Sequence, residues 1–338
     1  MSKLRISRRS FIRLALLGGI GAGSIYIQHQ TAGMGVFNFL RWSLRGGLKR
    51  ISPPAIVGLA KCNSYDEDLV SKLRDLWTIS EMPDIQGKSI LVKPNLLDHV
   101  DRDAVTTSPK VVAALLDLLL ELRAGKVVVG EGSAFRRDTQ YVARSSGLLQ
   151  ELASRGISFI DLNYDELVPV SARDGWIRET NQIWLPRTVC EADLIISVPK
   201  LKSHHWAGVT LSLKNLLGLI PGSRYGWPKN IIHINGINPT ILGIYQSIPP
   251  VVSIVDGIVG MEGNGPLLGD PIQHGLLAAG SDPLAVDTIC AQLMGFSIET
   301  IPHLAGAAWA GIGQSWRIET RGISLDQLQQ HYKAPPTL

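Results

Sequence analysis

Cysteine is scarce. The 338 residues hold three, Cys62, Cys190 and Cys290, an odd number at wide spacing. They cannot all pair, and no C-x-x-C spacing is present for zinc or an iron–sulfur cluster. Disulfide stapling is therefore excluded as the source of stability, and Cys190 and Cys290, in apolar surroundings, are expected to be buried thiols. Aromatic residues make up only 6% of the chain against 45% hydrophobic residues in all. An aliphatic core of that kind suits a parallel sheet with helices on both faces. The apolar run Leu14 to Ile27 is about 14 residues long, whereas crossing a bilayer takes about 20. A basic stripe with interleaved aromatics is also missing. The net charge is +4, and Lys3, Arg5, Arg8, Arg9, Arg13, Arg41, Arg45, Lys49 and Arg50 all fall in the first 50 residues. The remainder is slightly acidic, so no nucleic-acid partner is expected.

What the amino terminus does contain is Ser7-Arg8-Arg9-Ser10-Phe11-Ile12-Arg13 ahead of that apolar run. It resembles a twin-arginine export signal: paired arginines, Phe at the right offset, a basic residue, then a moderately hydrophobic segment. The resemblance implies the twin-arginine translocase as a partner and a destination in the periplasm or on the outer face of the cytoplasmic membrane. No clean small-x-small cleavage site follows, Gln30-Thr31-Ala32 being the best available, so residues 1–32 are expected to serve as signal and, if uncut, as a membrane anchor. Residues 33–54 form a basic, amphipathic linker. Its segment Met34 to Ile51 suits a membrane surface or a helix packed on the domain. Residues 55–338 are expected to form a single domain.

Within it, apolar runs alternate with helical spacing. Strands are predicted at Ala55–Ala60, Ser89–Val92, Lys126–Gly130, Ile157–Leu162, Leu194–Val198, Val251–Val255 and Leu276–Ala279. Helices are predicted over Asp66–Ile79, from the Ser108 cap through Leu122, over Asp138–Leu152 and Pro239–Ile248, and from the Asp282 cap through Met294. Val168–Ser171, Trp176–Arg178 and Ile183–Leu185 alternate like an antiparallel hairpin. Pro199 is expected to end its strand and open a basic loop, followed by helical spacing from Val209 to Leu217. Gly222–Asn235 and Met261–Asp270 read as loops, and a helical hairpin as the carboxyl-terminal element. The fold class is α/β, a doubly wound, mostly parallel sheet with an inserted antiparallel hairpin region.

Several phrases together carry a family resemblance: Val92-Lys93-Pro94-Asn95, Val198-Pro199-Lys200-Leu201-Lys202-Ser203-His204, Leu213-Lys214-Asn215-Leu216-Leu217-Gly218, Val255-Asp256-Gly257, Met261-Glu262-Gly263-Asn264-Gly265-Pro266 and Ser281-Asp282-Pro283-Leu284-Ala285-Val286-Asp287. In this order, over about Val57 to Phe296, they resemble the family called domain of unknown function 362, whose chemistry is not established. Some relatives carry iron–sulfur modules; the three cysteines here do not supply the ligands of one.

Open α/β sheets bind ligands beyond the carboxyl ends of their strands. Lys93, Asn95, Glu131, Lys200, Lys202, His204 and Asp256 fall at such ends, so one shared cleft is expected. Lys93, Asn95, Lys200, Lys214, Asn215 and His233, with Gly263 and Gly265, are candidates for holding a small anion. His204 and Lys202 are the candidate catalytic pair, His204 as proton-transfer group. Asp256, Glu262 and Asp287 are candidate oxygen ligands for a divalent metal. Asp282 reads equally as a helix cap, and His205 and His274 as structural. Two functions stay open: a metal-assisted exported enzyme acting on a small anion, and a non-catalytic binding or accessory protein of an extracytoplasmic redox or maturation system.

Overall fold

The computed structural model describes residues 36–98, 104–133, 138–172, 176–177, 182–227 and 229–338. The leader expected at 1–32 lies outside the described residues. Among the described residues twelve strands run in chain order: β1 (Ala55–Lys61), β2 (Ser89–Pro94), β3 (Lys126–Glu131), β4 (Ser158–Asp161), β5 (Leu167–Ser171), β6 (Gln182–Pro186), β7 (Leu194–Val198), β8 (Lys200–His204), β9 (Gly208–Thr210), β10 (Val251–Glu262), β11 (Asp270–Gly280) and β12 (Ile318–Gly322). The central sheet has the order β12-β1-β11-β10-β7-β2-β3-β4, with β8 and β9 attached to β10, and β5 and β6 form a separate antiparallel pair. Along the central path only β11 runs against its neighbours. The protein is thus a mixed α/β fold with a mostly parallel central sheet plus an antiparallel hairpin, as expected.

Period-two side-chain alternation divides the core into two layers. Leu91 and Ile195 point to one face, whereas Ile90, Val92, Leu194 and Ile196 point to the other. Helices Leu69–Ile79 and Pro109–Glu121 cover the second face. Helices Ile237–Ser247, Pro283–Leu293 and Pro302–Trp309 cover the first. Each fully buried aliphatic side chain contributes about 1.5–3 kcal/mol relative to exposure.

Five expectations are revised, the first being that Gly222–Asn235, expected as a loop, holds the short helices Gly222–Tyr225 and Ile231–Asn235. The helix expected over Asp138–Leu152 is two, Thr139–Ser145 and Leu148–Ala153, because Gly147 between them has φ 84°. The basic stretch after Pro199 is a strand. β7 pairs with residues 251–253 of β10, and beyond the proline β8 pairs farther along the same strand, Asp256 with Lys200 and Met261 with Lys202. Asp256 N–H donates to Pro199 O at 2.9 Å, so the proline interrupts the pairing only briefly. Helical spacing from Val209 resolves into β9 and the short helix Ser212–Asn215. Finally, the expected carboxyl-terminal helical hairpin is one helix followed by β12, which edges the sheet parallel to β1. Gly322 there has φ 93°, and a Cβ on it would strike Leu59 O.

Ahead of the sheet, helix Val36–Ile51 is pinned by Trp42, which is fully buried and stacks on Trp176 with ring centroids 4.3 Å apart and planes 14° apart. Trp309 meets Trp42 edge-on at 5.7 Å. Replacing Trp42 by Ala empties an aromatic site and is expected to cost about 3–5 kcal/mol in urea unfolding; a loss below about 1 kcal/mol would show that the helix is not docked there.

Candidate functional site

β2 and β3 are adjacent and parallel, and their carboxyl ends deliver Lys93 and Glu131 to one point. Both are buried, and Lys93 Nζ donates to Glu131 Oε2 at 2.6 Å. The same ammonium donates to Pro94 O at 2.9 Å and Asn215 Oδ1 at 3.2 Å. Glu131 also accepts N–H bonds from Gly132 at 2.8 Å and Leu96 at 3.2 Å. Every polar atom of the pair is thereby engaged, the condition for burying charge without a large penalty. Burial pushes the Lys93 pKa down, and the Glu131 charge opposes it.

Asn215 belongs to the helix Ser212–Asn215, which is too short to hold itself in place. Its Nδ2 donates to Lys93 O and Ser197 Oγ, each at 3.1 Å. Its amino end is held by Asp287, whose two carboxylate oxygens accept from Ser212 N–H at 2.7 Å and Leu213 N–H at 2.9 Å. Burial raises the Asp287 carboxyl to about 7, and those donors pull it back down. Gly218 follows, and a Cβ there would fall on Glu131 Oε1 and within 2.6 Å of Lys93 Nζ. Only a residue without a side chain closes over the ion pair.

Beside this network is a cavity of about 540 Å³, within the roughly 300–1,000 Å³ of small-molecule sites. Its polar wall is Lys93, Asn95, Glu131, Ser133, His204, His205, Lys214, Asn215 and Asn264, and Leu96, Leu97, Leu217, Ile237, Pro266 and Leu267 supply much of its apolar wall. Lys214 differs from Lys93. It is half-buried, and no hydrogen bond or ion pair reaches its ammonium among the described residues. Burial first, and then the Lys93 charge, lower it to about 8. His204 is buried, and its Nδ1 accepts from Trp206 N–H at 3.1 Å and Ala207 N–H at 3.3 Å. Burial, followed by the Lys214 charge, drives its pKa far down, so the imidazole is neutral and carries its proton on Nε2. Asn95 donates through Nδ2 to Asn215 Oδ1 at 3.2 Å, and its buried Oδ1 has no partner among the described residues.

The one cleft foreseen in the sequence is thus two sites. Lys93, Asn95, His204, Lys214 and Asn215 meet in the cavity. Lys200 and Asp256 instead form a fully buried pair at 3.0 Å beneath β8 and β10. The Tyr65 hydroxyl accepts from Lys200 at 2.6 Å and donates to Asp256 at 3.0 Å, and Ser108 N–H donates to Asp256 at 2.9 Å. Lys202 is also buried outside the cavity wall, donating to Val105 O at 2.6 Å, and burial drives its pKa well down. The proposed metal ligands are not brought together. Asp256 is saturated by its partners, Glu262 pairs with Lys333 at 3.2 Å, and Asp287 caps a helix. Among the described residues no group of three His, Cys, Asp or Glu is placed to hold a metal.

Gly263 and Gly265 make turn contacts rather than cavity wall: Gly263 has φ 73°, and a Cβ on Gly265 would strike Ser203 O. Their neighbours Asn264, Pro266, Leu267 and Leu268 do reach the cavity. His233 lies in the short helix Ile231–Asn235, its side chain outside the described residues. Sequence reasoning missed Lys229, which is buried and donates to Gly132 O at 2.6 Å, with Gly218 O at 3.3 Å and Leu217 O at 3.4 Å. Burial takes it down to about 7. It also missed His303, buried with neither ring nitrogen partnered among the described residues and lowered to about 3 by burial and the Lys214 charge. A lone basic residue in a loop, or a histidine in an apolar helix, carries no signal of either placement. Of the cysteines, Cys62 and Cys290 are buried, Cys190 is half-buried, and all are free.

The ion pair yields a test. Lys93→Met and Glu131→Gln each strand a buried group, and each is expected to cost about 3–5 kcal/mol in denaturant unfolding. Combining Lys93→Met with Glu131→Gln is expected to cost clearly less than the two single losses together. Strict additivity would mean that the pair is not coupled.

Comparison with known proteins places the chain. It is 33% identical over 264 residues to a thylakoid-associated protein of Synechocystis sp., covering 76% of this chain and 79% of that one. Among solved structures, the lactate racemase apoprotein of Thermoanaerobacterium thermosaccharolyticum overlays with a TM-score of 0.43 at 15% identity, covering 73% of this chain and 58% of that one. A Thermotoga maritima protein from structural genomics overlays with a TM-score of 0.40 at 13% identity, covering 70% and 61% respectively. The chain therefore spans about three fifths of each of these solved chains. Residues 90–292 match the family described as domain of unknown function (DUF362), and the chain belongs to that family.

Proposed function

We propose that the protein is exported by the twin-arginine translocase, with residues 1–32 as its leader and 55–338 as its working domain, and that the domain binds a small organic anion. One observation carries the ligand class: Lys214, its ammonium unpaired among the described residues, lines a largely apolar cavity in which Lys93 is already neutralised by Glu131. A carboxylate or phosphate on a hydrocarbon body complements that wall, with Lys214 for its charge. The protonated Nε2 of His204, a residue of the cavity wall, adds a hydrogen-bond donor. With its proton already on Nε2 and Nδ1 engaged, His204 serves as a donor to the ligand, and Lys214 is the acid–base group of the site. That division favours ligand binding over the His204-centred, metal-assisted reaction. Export is supported by the Arg8-Arg9 motif, and the thylakoid association named for the Synechocystis relative is in keeping with a membrane-proximal role.

The test is thermal-shift screening with small aliphatic carboxylates and phosphate monoesters, alongside native mass spectrometry of protein from its own host. A bound anion is expected to lose at least roughly tenfold in affinity in Lys214→Met. Unchanged affinity in that variant would end the assignment. Binding should also weaken as pH rises through about 8, because Lys214 loses its proton there. Stability should move the other way. The unfolded lysine holds its proton up to its ordinary value near 10.5, so Lys214 adds stability between about 8 and 10.5, and Lys214→Met should reduce the gain in that window, leaving the share of the other buried lysines, Lys93, Lys202 and Lys229.

A further inference from the structure

Helix Val36–Ile51 has two unlike sides. Trp42 and Gly46, four residues apart, face the domain: Trp42 is fully buried, and a Cβ on Gly46 would strike Trp309 O. The opposite side carries Leu40, Leu44, Leu48 and Ile51, which are 47%, 66%, 56% and 75% exposed. Their spacing of four, four and three places them in one stripe along the helix. A stripe of large aliphatic side chains left in water is costly, and on a soluble surface it marks something that covers it.

Charge identifies the cover. The helix carries Arg41, Arg45, Lys49 and Arg50 and no acidic residue; Lys49, seven residues after Trp42, is on the domain side and acts on Asp282, and the three arginines edge the stripe. At its carboxyl end Trp316 is 48% exposed, with the Arg50 guanidinium 4.0 Å above its ring. Apolar stripe, flanking cations and an interfacial tryptophan are the three features of a helix lying in the plane of an anionic bilayer. At 16 residues the helix is about 24 Å long, enough to lie flat, and no described helix is long and apolar enough to cross a membrane.

We propose that the outward face of helix Val36–Ile51 docks the folded domain directly onto an anionic lipid surface, in addition to any attachment through the leader. The apolar run Leu14–Ile27 ends only nine residues before this helix, so an uncut leader would bring the stripe to the same membrane.

A local probe separates the stripe from the leader. The full chain with Cys190→Ser and Leu40→Cys is labelled at position 40 with an environment-sensitive fluorophore, Cys62 and Cys290 being buried. Mixed phosphatidylglycerol–phosphatidylcholine vesicles are expected to shift its emission to the blue and shield it from iodide, with affinity falling roughly tenfold on pure phosphatidylcholine. A label at Tyr141→Cys, over the opposite face of the sheet, should not respond. Adding Leu44→Ser and Leu48→Ser should abolish the shift and leave the melting temperature unchanged. Three results overturn the proposal: a label that stays in water while the protein floats with vesicles, leaving the leader as sole tether; shielding without vesicles that grows with protein concentration, making the cover a second copy; and shielding without vesicles at every concentration, making it the chain's own amino terminus.

Discussion

Everything around the cavity depends on the ion pair between Lys93 and Glu131. Two opposite charges with virtually no exposure survive in a protein interior only when each remaining donor and acceptor is met. Here that demand is met by Pro94 O, Asn215 Oδ1 and the N–H groups of Leu96 and Gly132. It also explains several distant residues. Asn215 must sit at one place, so its short helix is tied to Asp287 on another helix. Residue 218 must have no side chain, because the space over the pair is already taken. Residues far apart in sequence are thus bound by one electrostatic constraint.

The same constraint makes Lys214 unlike its neighbour. Burial first, and then the Lys93 charge, loosen its proton, and Glu131, bonded to Lys93, offsets this only in part. The cavity therefore carries one uncompensated positive group, Lys214, among neutral polar and apolar wall, which suits an anion with a hydrocarbon part. His204, desolvated and held through Nδ1, adds a neutral donor rather than a second charge. On the outward side of helix Val36–Ile51, a separate stripe of three leucines and Ile51, edged by arginines, suits a different acidic partner, a lipid surface. The two features use unrelated residues and are independent.

Much of this was legible in the residues alone. Buried strands announce themselves by β-branched runs, and strand ends by Lys93-Pro94-Asn95 and Glu131, so the cavity's polar wall was largely foreseen. The failures share a cause. Lys200, Lys202 and His204 read as a solvated loop because charged side chains seldom line a buried strand. Only the partners across space, Asp256 and Tyr65 for Lys200 and Val105 O for Lys202, make β8 tolerable in the interior. Asp256 consequently looked like a ligand when it is a counter-ion. Lys229 is held by three backbone carbonyls, and backbone acceptors leave no mark in a sequence. The polar, edge-strand character of Ile318–Gly322 was likewise invisible beside its helix-like flanks.

The most direct test of this account is a titration of the lysine side chains in the folded protein, followed by NMR after carbon-13 methylation, with Lys214→Met assigning the resonance. The account predicts that the Lys214 resonance moves with a midpoint near 8 and that a bound organic anion raises it. A Lys214 midpoint at the ordinary lysine value near 10.5, indifferent to every anion tried, would contradict it.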